Sequence, residues 1–267
     1  MGIVKGDKIL SNAKDIYTPE KKGWGIEPNK AAHHHEEVKY EILDKSLEDA
    51  GLELKDIDLI AFSQGPGLPP CLYKGFDFVK ELVSDKDIPV LGIAHTVSHI
   101  EIGKLETGSE DPITLYVSGG NTQVLGFSNG SYRVFGEVMD TPIGNGLDKF
   151  GRSVGIKFPA GPKIEEMAKK GEKYIELPYS VKGMDMSFSG LVTEAERKYR
   201  NGEKLEDVCY SLQETAFAML TEVVERAMAH TGKEEVLLTG GVAANKRLQE
   251  MLNEMCEERG AKFYTVP

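Results

Sequence analysis

"ITLYVSGGNTQVLGF" (residues 113–127) is an apolar run, a Ser-Gly-Gly turn and a second run of strand-forming residues. Strand formers on both sides of a glycine turn read as two strands joined tightly. "SNGSYRVFGEV" (128–138) extends the pattern through Asn-Gly, the signal of a two-residue hairpin turn. The fold is decided by what repeats this order elsewhere.

Downstream, 140–202 reads as irregular segments containing glycine and proline. "LEDVCYSLQETAFAMLTEVVERAMAHTG" (205–232) then has the i, i+3, i+4, i+7 spacing of a helix. "EEVLLTGGVAANKRL" (234–248) is a strand, a Gly-Gly turn and a helix start near Asn245, and "AKFYTVP" (261–267) is a last strand. Upstream, "GIVKGDKIL" (2–10) is strand, turn, strand, and 29–52 has helical spacing with a glycine stop. "DLIAFSQGPG" (58–67) has the form of a buried parallel strand ending in a glycine turn. A helix over roughly 72–84 and the strand "PVLGIAH" (89–95) follow.

The two halves match by role: "SQGPG" answers "TGGVA", and "PVLGIAH" answers "KFYTVP". The expectation is an α/β protein of two duplicated domains facing across a cleft, divided as 1–108 and 109–267, with an inserted segment at about 140–202. The alignment leaves two gaps. No strand precedes "GIVKGDKIL" and no helix follows "KFYTVP", which suggests a fragment or a shortened relative of a longer protein.

Composition narrows the function classes. Hydrophobic residues are 40% and charged residues 28% of 267, as in a soluble globular protein. No apolar run reaches the roughly 20 residues that span a bilayer. Cys71, Cys209 and Cys256 form no CxxC pair, which favours a reducing, cytoplasmic setting. The net charge of −11 is not that of a polyanion binder, so any basic surface for nucleic acid is local or supplied by another subunit.

Four sets of residues can carry chemistry. Ser118, Gly119 and Gly120 end a strand, where glycines let the backbone approach an anion; the plainer reading is a tight turn. The Gly240–Gly241 turn before Asn245 is a plausible nucleotide corner, or an ordinary strand-to-helix turn. Asp148 follows a glycine loop on a helix; Gly161 precedes a proline helix start and Glu165 lies one turn inside it. Both acids can accept hydrogen bonds from ribose hydroxyls, although most such residues are solvated surface charge. His95 and His99 are i, i+4, so on a helix their imidazoles share a face. Thr96 stands where a zincin's glutamate would be, which leaves metal ligands or two ordinary histidines. The consecutive His33, His34 and His35 lie in a helix pattern and would point in different directions.

Taken in order, "AAHHHEE", "IDLIAFSQGPGL", "GIAHTVSHIEIGK", "LYVSGGNTQV", "YRVFGE", "SVKGMDMSFSGL", "YSLQETAFAML" and "TGGVAANKRL" closely resemble the tRNA threonylcarbamoyladenosine transferase family. That family comprises the archaeal and eukaryotic KEOPS catalytic subunit and bacterial TsaD, formerly described as glycoproteases. The resemblance implies the duplicated fold of actin and sugar kinases. It implies transfer of a threonylcarbamoyl group from threonylcarbamoyl-AMP to N6 of the adenosine beside the anticodon, in tRNAs reading codons that begin with A. A divalent metal, iron or zinc, would be held by His95 and His99 with Tyr116 nearby. Tyr116, Val117, Ser118, Gly119 and Gly120 would hold the acyl-phosphate end, and Asp148, Gly161, Glu165 and Asn245 the ribose and base. ATP or AMP are the related nucleotide ligands. Partners would be tRNA, a small kinase-like ATPase and a small dimerising subunit.

The chain also departs from the family pattern. The family's N-terminal "EGT" strand-turn and the C-terminal "DNG" metal-ligand aspartate have no counterpart, and His33 stands in place of an aspartate. Two further readings follow: a diverged or truncated non-catalytic relative that binds nucleotide or partner subunits, and a kinase or ATPase on the same fold.

Overall fold

A computed structural model describes residues 1–18 and 26–266. Packing divides the chain into two compact units, Met1–Ser98 and His99–Pro267. The division falls inside a helix, upstream of the boundary at 108 suggested by the repeat.

In the first unit, β1 (Gly2–Lys5) and β2 (Lys8–Asn12) form an antiparallel hairpin. Helix α1 (Pro28–Ala50) begins on a proline at its first turn and stops at Gly51, which takes the left-handed cap conformation. Strand β3 (Ile60–Gly65) pairs in parallel with β4 (Val90–Ala94). Between them α2 (Pro69–Leu82) begins earlier than the expected residue 72, because Pro69 and Pro70 occupy its first positions, where no N–H is needed. Helix α3 (His95–Thr107) follows β4 directly.

The second unit opens with β5 (Ile113–Val117), β6 (Thr122–Ser128) and β7 (Ser131–Glu137), the three strands expected. Asn129 and Gly130 both have positive φ, 52° and 78°, the geometry of the Asn-Gly hairpin turn. The stretch expected to be irregular is largely ordered. It holds α4 (Ile143–Ser153), α5 (Gly161–Ala168), the short hairpin of β8 (Val181–Lys182) and β9 (Asp185–Met186), and α6 (Ser189–Arg200). Helix α7 (Leu205–Thr231), β10 (Glu235–Thr239), α8 (Lys246–Arg259) and β11 (Lys262–Thr265) complete it.

The five-stranded sheet has the order β11-β10-β5-β6-β7, with β10 parallel to both β5 and β11. All five residues of β5 are buried, because the sheet is covered on both faces. Ile113, Leu115 and Val117 face a core with Leu212, Phe217 and Val224 of α7; Tyr116 faces Ile100 of α3 with Leu125 and Leu237.

The duplication is visible in the pairing. Parallel β3–β4 matches β10–β11, and the β1–β2 hairpin matches β6–β7. In the second unit β5 joins these pairs into one sheet. Among the described residues of the first unit no strand pairs β1 with β3, and the two pairs are separate two-stranded sheets. A cavity of about 460 Å³ is lined there by Gly2, Ile3, Ile60 and Phe62, with Ile42 and Phe78 from the helices. Two-stranded pairs with an open edge protect their amides poorly. Hydrogen exchange followed by mass spectrometry is therefore expected to be roughly a hundredfold faster in β1 and β3 than in β5 and β10. Equal protection would refute the separate-sheet arrangement.

Asp140 ties the segments before and after the β8–β9 hairpin together. Its carboxylate accepts backbone N–H groups from Phe188 (2.9 Å), Ser189 (3.0 Å) and Thr141 (2.5 Å). Burial pushes this carboxyl upward, but the three backbone donors and the Ser189 hydroxyl outweigh it, and its pKa lies below the ordinary value. A depressed native pKa stabilises above the unfolded pKa and is lost as pH falls through the native one. Urea midpoints measured from pH 6 into the acid range should thus fall less steeply for Asp140→Asn than for the parent, and start lower. Identical slopes would remove Asp140 from this role.

Candidate functional site

The site is built where β5 and β10 end. Beyond β5, the Ser118 N–H donates to Asn121 O (2.8 Å) and the Asn121 N–H to Ser118 Oγ (3.1 Å), closing a turn with Gly119 and Gly120 exposed at its tip. Beyond β10, Gly240 has φ 102°, and a Cβ there would lie 2.2 Å from Val117 O. The two glycine turns therefore run in contact, and only a residue without a side chain fits.

Helix α4 enters against the first turn. A Cβ on Gly144 would meet Ser118 O at 2.5 Å and Gly119 Cα at 2.8 Å, and the Ile143 N–H donates to Thr122 Oγ1 at 2.9 Å. Asn145, exposed on the first turn of α4, is the nearest side chain to Gly119; sequence reasoning had not singled it out. One turn on, Asp148 Oδ1 accepts the Ala160 N–H (2.7 Å), which sets the position of Gly161 at the start of α5. No atom lies within 4 Å of a Cβ built on Gly161, so the backbone there borders open space.

Helix α5 leads to α8. Glu165 Oε1 accepts the Lys246 N–H (3.2 Å) and pairs with Lys169 (3.3 Å). Asn245 caps α8: its Oδ1 accepts N–H groups from Arg247 (2.9 Å) and Leu248 (3.3 Å). Helix α7 holds the same helix start at two consecutive residues. Gln213 Oε1 accepts from Asn245 Nδ2 (3.0 Å), and Glu214 takes Arg247 Nε and Nη2 at 2.8 and 3.0 Å. This two-pronged pairing raises the Arg247 pKa, keeping the guanidinium charged.

A chain of contacts thus runs from Val117–Gly120 through Gly144, Asp148, Gly161 and Glu165 to Asn245, and back through Gly240 to Val117. It lies wholly in the second unit. Exposed glycine tips supply backbone donors for an anion, and the two carboxylates and the amide supply acceptors and a donor for polar hydroxyls and ring nitrogens.

His95 and His99 lie one turn apart on α3, both half-buried. The His99 ring lies 4.9 Å from the ring of buried Tyr116. Among the described residues no three His, Cys, Asp or Glu side chains gather as a metal cluster, and His33–His35 on α1 do not form one. All three cysteines are free. Burial pushes the Cys209 thiol up to about 12 and the Cys256 thiol up to about 11, so neither is a ready nucleophile. Among the described residues no helix is long and apolar enough to cross a membrane.

HypF from Thermococcus kodakarensis superimposes with a TM-score of 0.70 at 15% identity, over 86% of this chain and 40% of that one. At that identity the likeness shows the fold alone, the duplicated actin-like α/β fold. The tRNA N6-adenosine threonylcarbamoyltransferase of Thermococcus sibiricus is 55% identical over 268 aligned residues, all of this chain and 82% of the relative. Its counterpart from Thermococcus kodakarensis is 57% identical with the same coverage. Residues 8–267 match the family described as tRNA N6-adenosine threonylcarbamoyltransferase, and the chain belongs to that family.

Proposed function

We propose that the chain transfers the threonylcarbamoyl group from threonylcarbamoyl-AMP to N6 of the adenosine next to the anticodon, in tRNAs reading codons that begin with A. The observation that carries this reading is the convergence of Asp148, Gly161, Glu165 and Asn245 beside the Ser118–Gly120 turn in a chain of this family.

The donor is a mixed carbamic–phosphoric anhydride, already activated, so the protein needs to position it and requires no nucleophile of its own. This agrees with the two buried, protonated thiols of the second unit. Asp148 and Glu165 would accept from ribose hydroxyls, Asn245 would meet the base, and the glycine turn would face the acyl-phosphate. The N6 amine attacks the carbamoyl carbon and the new C–N bond forms. The bond from that carbon to the phosphate oxygen breaks, AMP leaves, and the amine proton passes to solvent. Two imidazole nitrogens and a phenol oxygen suit a borderline cation, iron or zinc. His95, His99 and Tyr116 would hold it. Such a metal supplies Lewis acidity to the acyl oxygen.

The acidic charge supports tRNA binding shared with KEOPS-like subunits, a small kinase-like ATPase and a small dimerising protein, in the cytoplasm. The competing activity is ATP hydrolysis on the same fold. With tRNA and threonylcarbamoyl-AMP supplied, the chain should release AMP one-for-one with threonine entering tRNA. With ATP alone it should release no phosphate; steady phosphate release from ATP alone would favour the ATPase.

A further inference from the structure

The α8 cap leaves an accounting question at Asn245. A carboxamide has two N–H donors and an oxygen with two acceptor sites. Asn245 Oδ1 spends both acceptor sites on the backbone N–H groups of Arg247 and Leu248. Those two backbone donors fix which end of the amide is oxygen, so its orientation is not open to a flip. One N–H goes to Gln213 Oε1 at 3.0 Å, a contact buried at both ends: Asn245 is 8% exposed and Gln213 4%. What remains is a single N–H.

We propose that Gln213 is a positioning residue, fixing the Asn245 amide so that the site offers one N–H donor to a hydrogen-bond acceptor on the bound nucleoside. This rests on the reading that Asn245 lines the nucleotide site. An acceptor is a ring nitrogen or a ribose oxygen; an exocyclic amine would meet donor against donor and be rejected. Gln213 lies in "YSLQETAFAML", on a helix whose neighbours Leu212, Ala216 and Phe217 are fully buried. Among the described residues, the hydrogen bond that this core side chain makes is the one to Asn245. The adjacent Glu214 holds Arg247, so α7 fixes both the place of the α8 start and the direction of the amide that begins it.

The test uses the full chain with AMP and with adenosine as probes, by isothermal titration calorimetry, alongside thermal melts. Asn245→Asp keeps an oxygen to cap α8 but has no N–H to offer. It is expected to weaken both probes by roughly tenfold or more, while its melting point stays within a few degrees of the parent. Because adenosine has no phosphate, an equal loss for both probes excludes charge repulsion as the cause. Gln213→Leu removes the acceptor for Asn245 and is expected to weaken both probes roughly tenfold. Gln213→Glu restores an acceptor of the same length and is expected to stay within about threefold of the parent. The Asn245 side-chain NH₂ signal in a 15N spectrum should move in Gln213→Leu and return toward its parent position in Gln213→Glu.

The outcomes separate. If the parent binds neither probe, the nucleotide reading of the site falls and this proposal falls with it. If the parent binds and Asn245→Asp binds equally well, Asn245 presents no donor and the proposal is overturned. It is equally overturned if Gln213→Leu matches the parent. Gln213→Leu and Gln213→Glu weakened alike, with melting points lowered alike, would make Gln213 a packing residue and overturn it as well.

Discussion

Replacing Gly240 with alanine is expected to cost more than about 3 kcal/mol of stability, and with it nearly all activity. Two effects act together. The backbone has φ 102°, which an L-residue rarely adopts, and the new Cβ would lie 2.2 Å from Val117 O. That neighbour is backbone in a central, fully buried strand, so it cannot turn aside as a flexible side chain would. Movement of β5 would shift Tyr116 and Ser118, on either side of Val117. Gly241→Ala is the control, since a Cβ there meets nothing within 4 Å. Urea unfolding of the two variants should separate them clearly, and equal midpoints would contradict the close passage of the two turns.

The second large effect is expected at α3. Under the proposed function, His95→Ala and His99→Ala should each lower transfer by roughly a hundredfold to a thousandfold, the worth of a Lewis-acid contact to a developing charge. Bound metal, measured by elemental analysis after purification with iron or zinc, should fall from about one per chain toward zero in both variants. Melting temperature is the internal check, because both histidines are half-buried and neither belongs to the sheet core. Metal content unchanged in both variants would leave the histidines as ordinary surface residues of the helix.

The strands and their glycine turns are legible because the signal is local. "ITLYV" and "EVLLT" are short apolar runs that end in glycines, and the structure ends β5 and β10 there. The Asn245 cap is likewise written in adjacent residues. The separation of the β1–β2 and β3–β4 pairs is seen only against the second unit, where β5 joins the corresponding pairs into one sheet. Helix α4 is harder to read, because Gly144, Gly146 and Gly151 all argue against a helix by propensity. Tertiary contact overrides that cost: Gly144 is needed against Ser118, and Gly151 against Ala160. Helix α6 lies in the stretch expected to be irregular, though Leu191, Val192 and Ala195 are its buried stripe. The bond from Glu165 to Lys246 joins residues far apart in the chain, and no spacing announces it. Gln213 is hidden for a different reason, a polar residue in a helix that otherwise reads as core.

The most direct measurement is transfer of labelled threonine to tRNA. The chain would be combined with an adenylate-forming enzyme, ATP, bicarbonate, threonine and the KEOPS-type partner subunits. One tRNA would carry adenosine beside the anticodon, and a second would carry guanosine at that position. The account predicts label in the first tRNA alone, lost with His95→Ala. No label in either tRNA, from a folded chain that still binds AMP, would contradict it and make the chain a nucleotide-binding relative without the reaction.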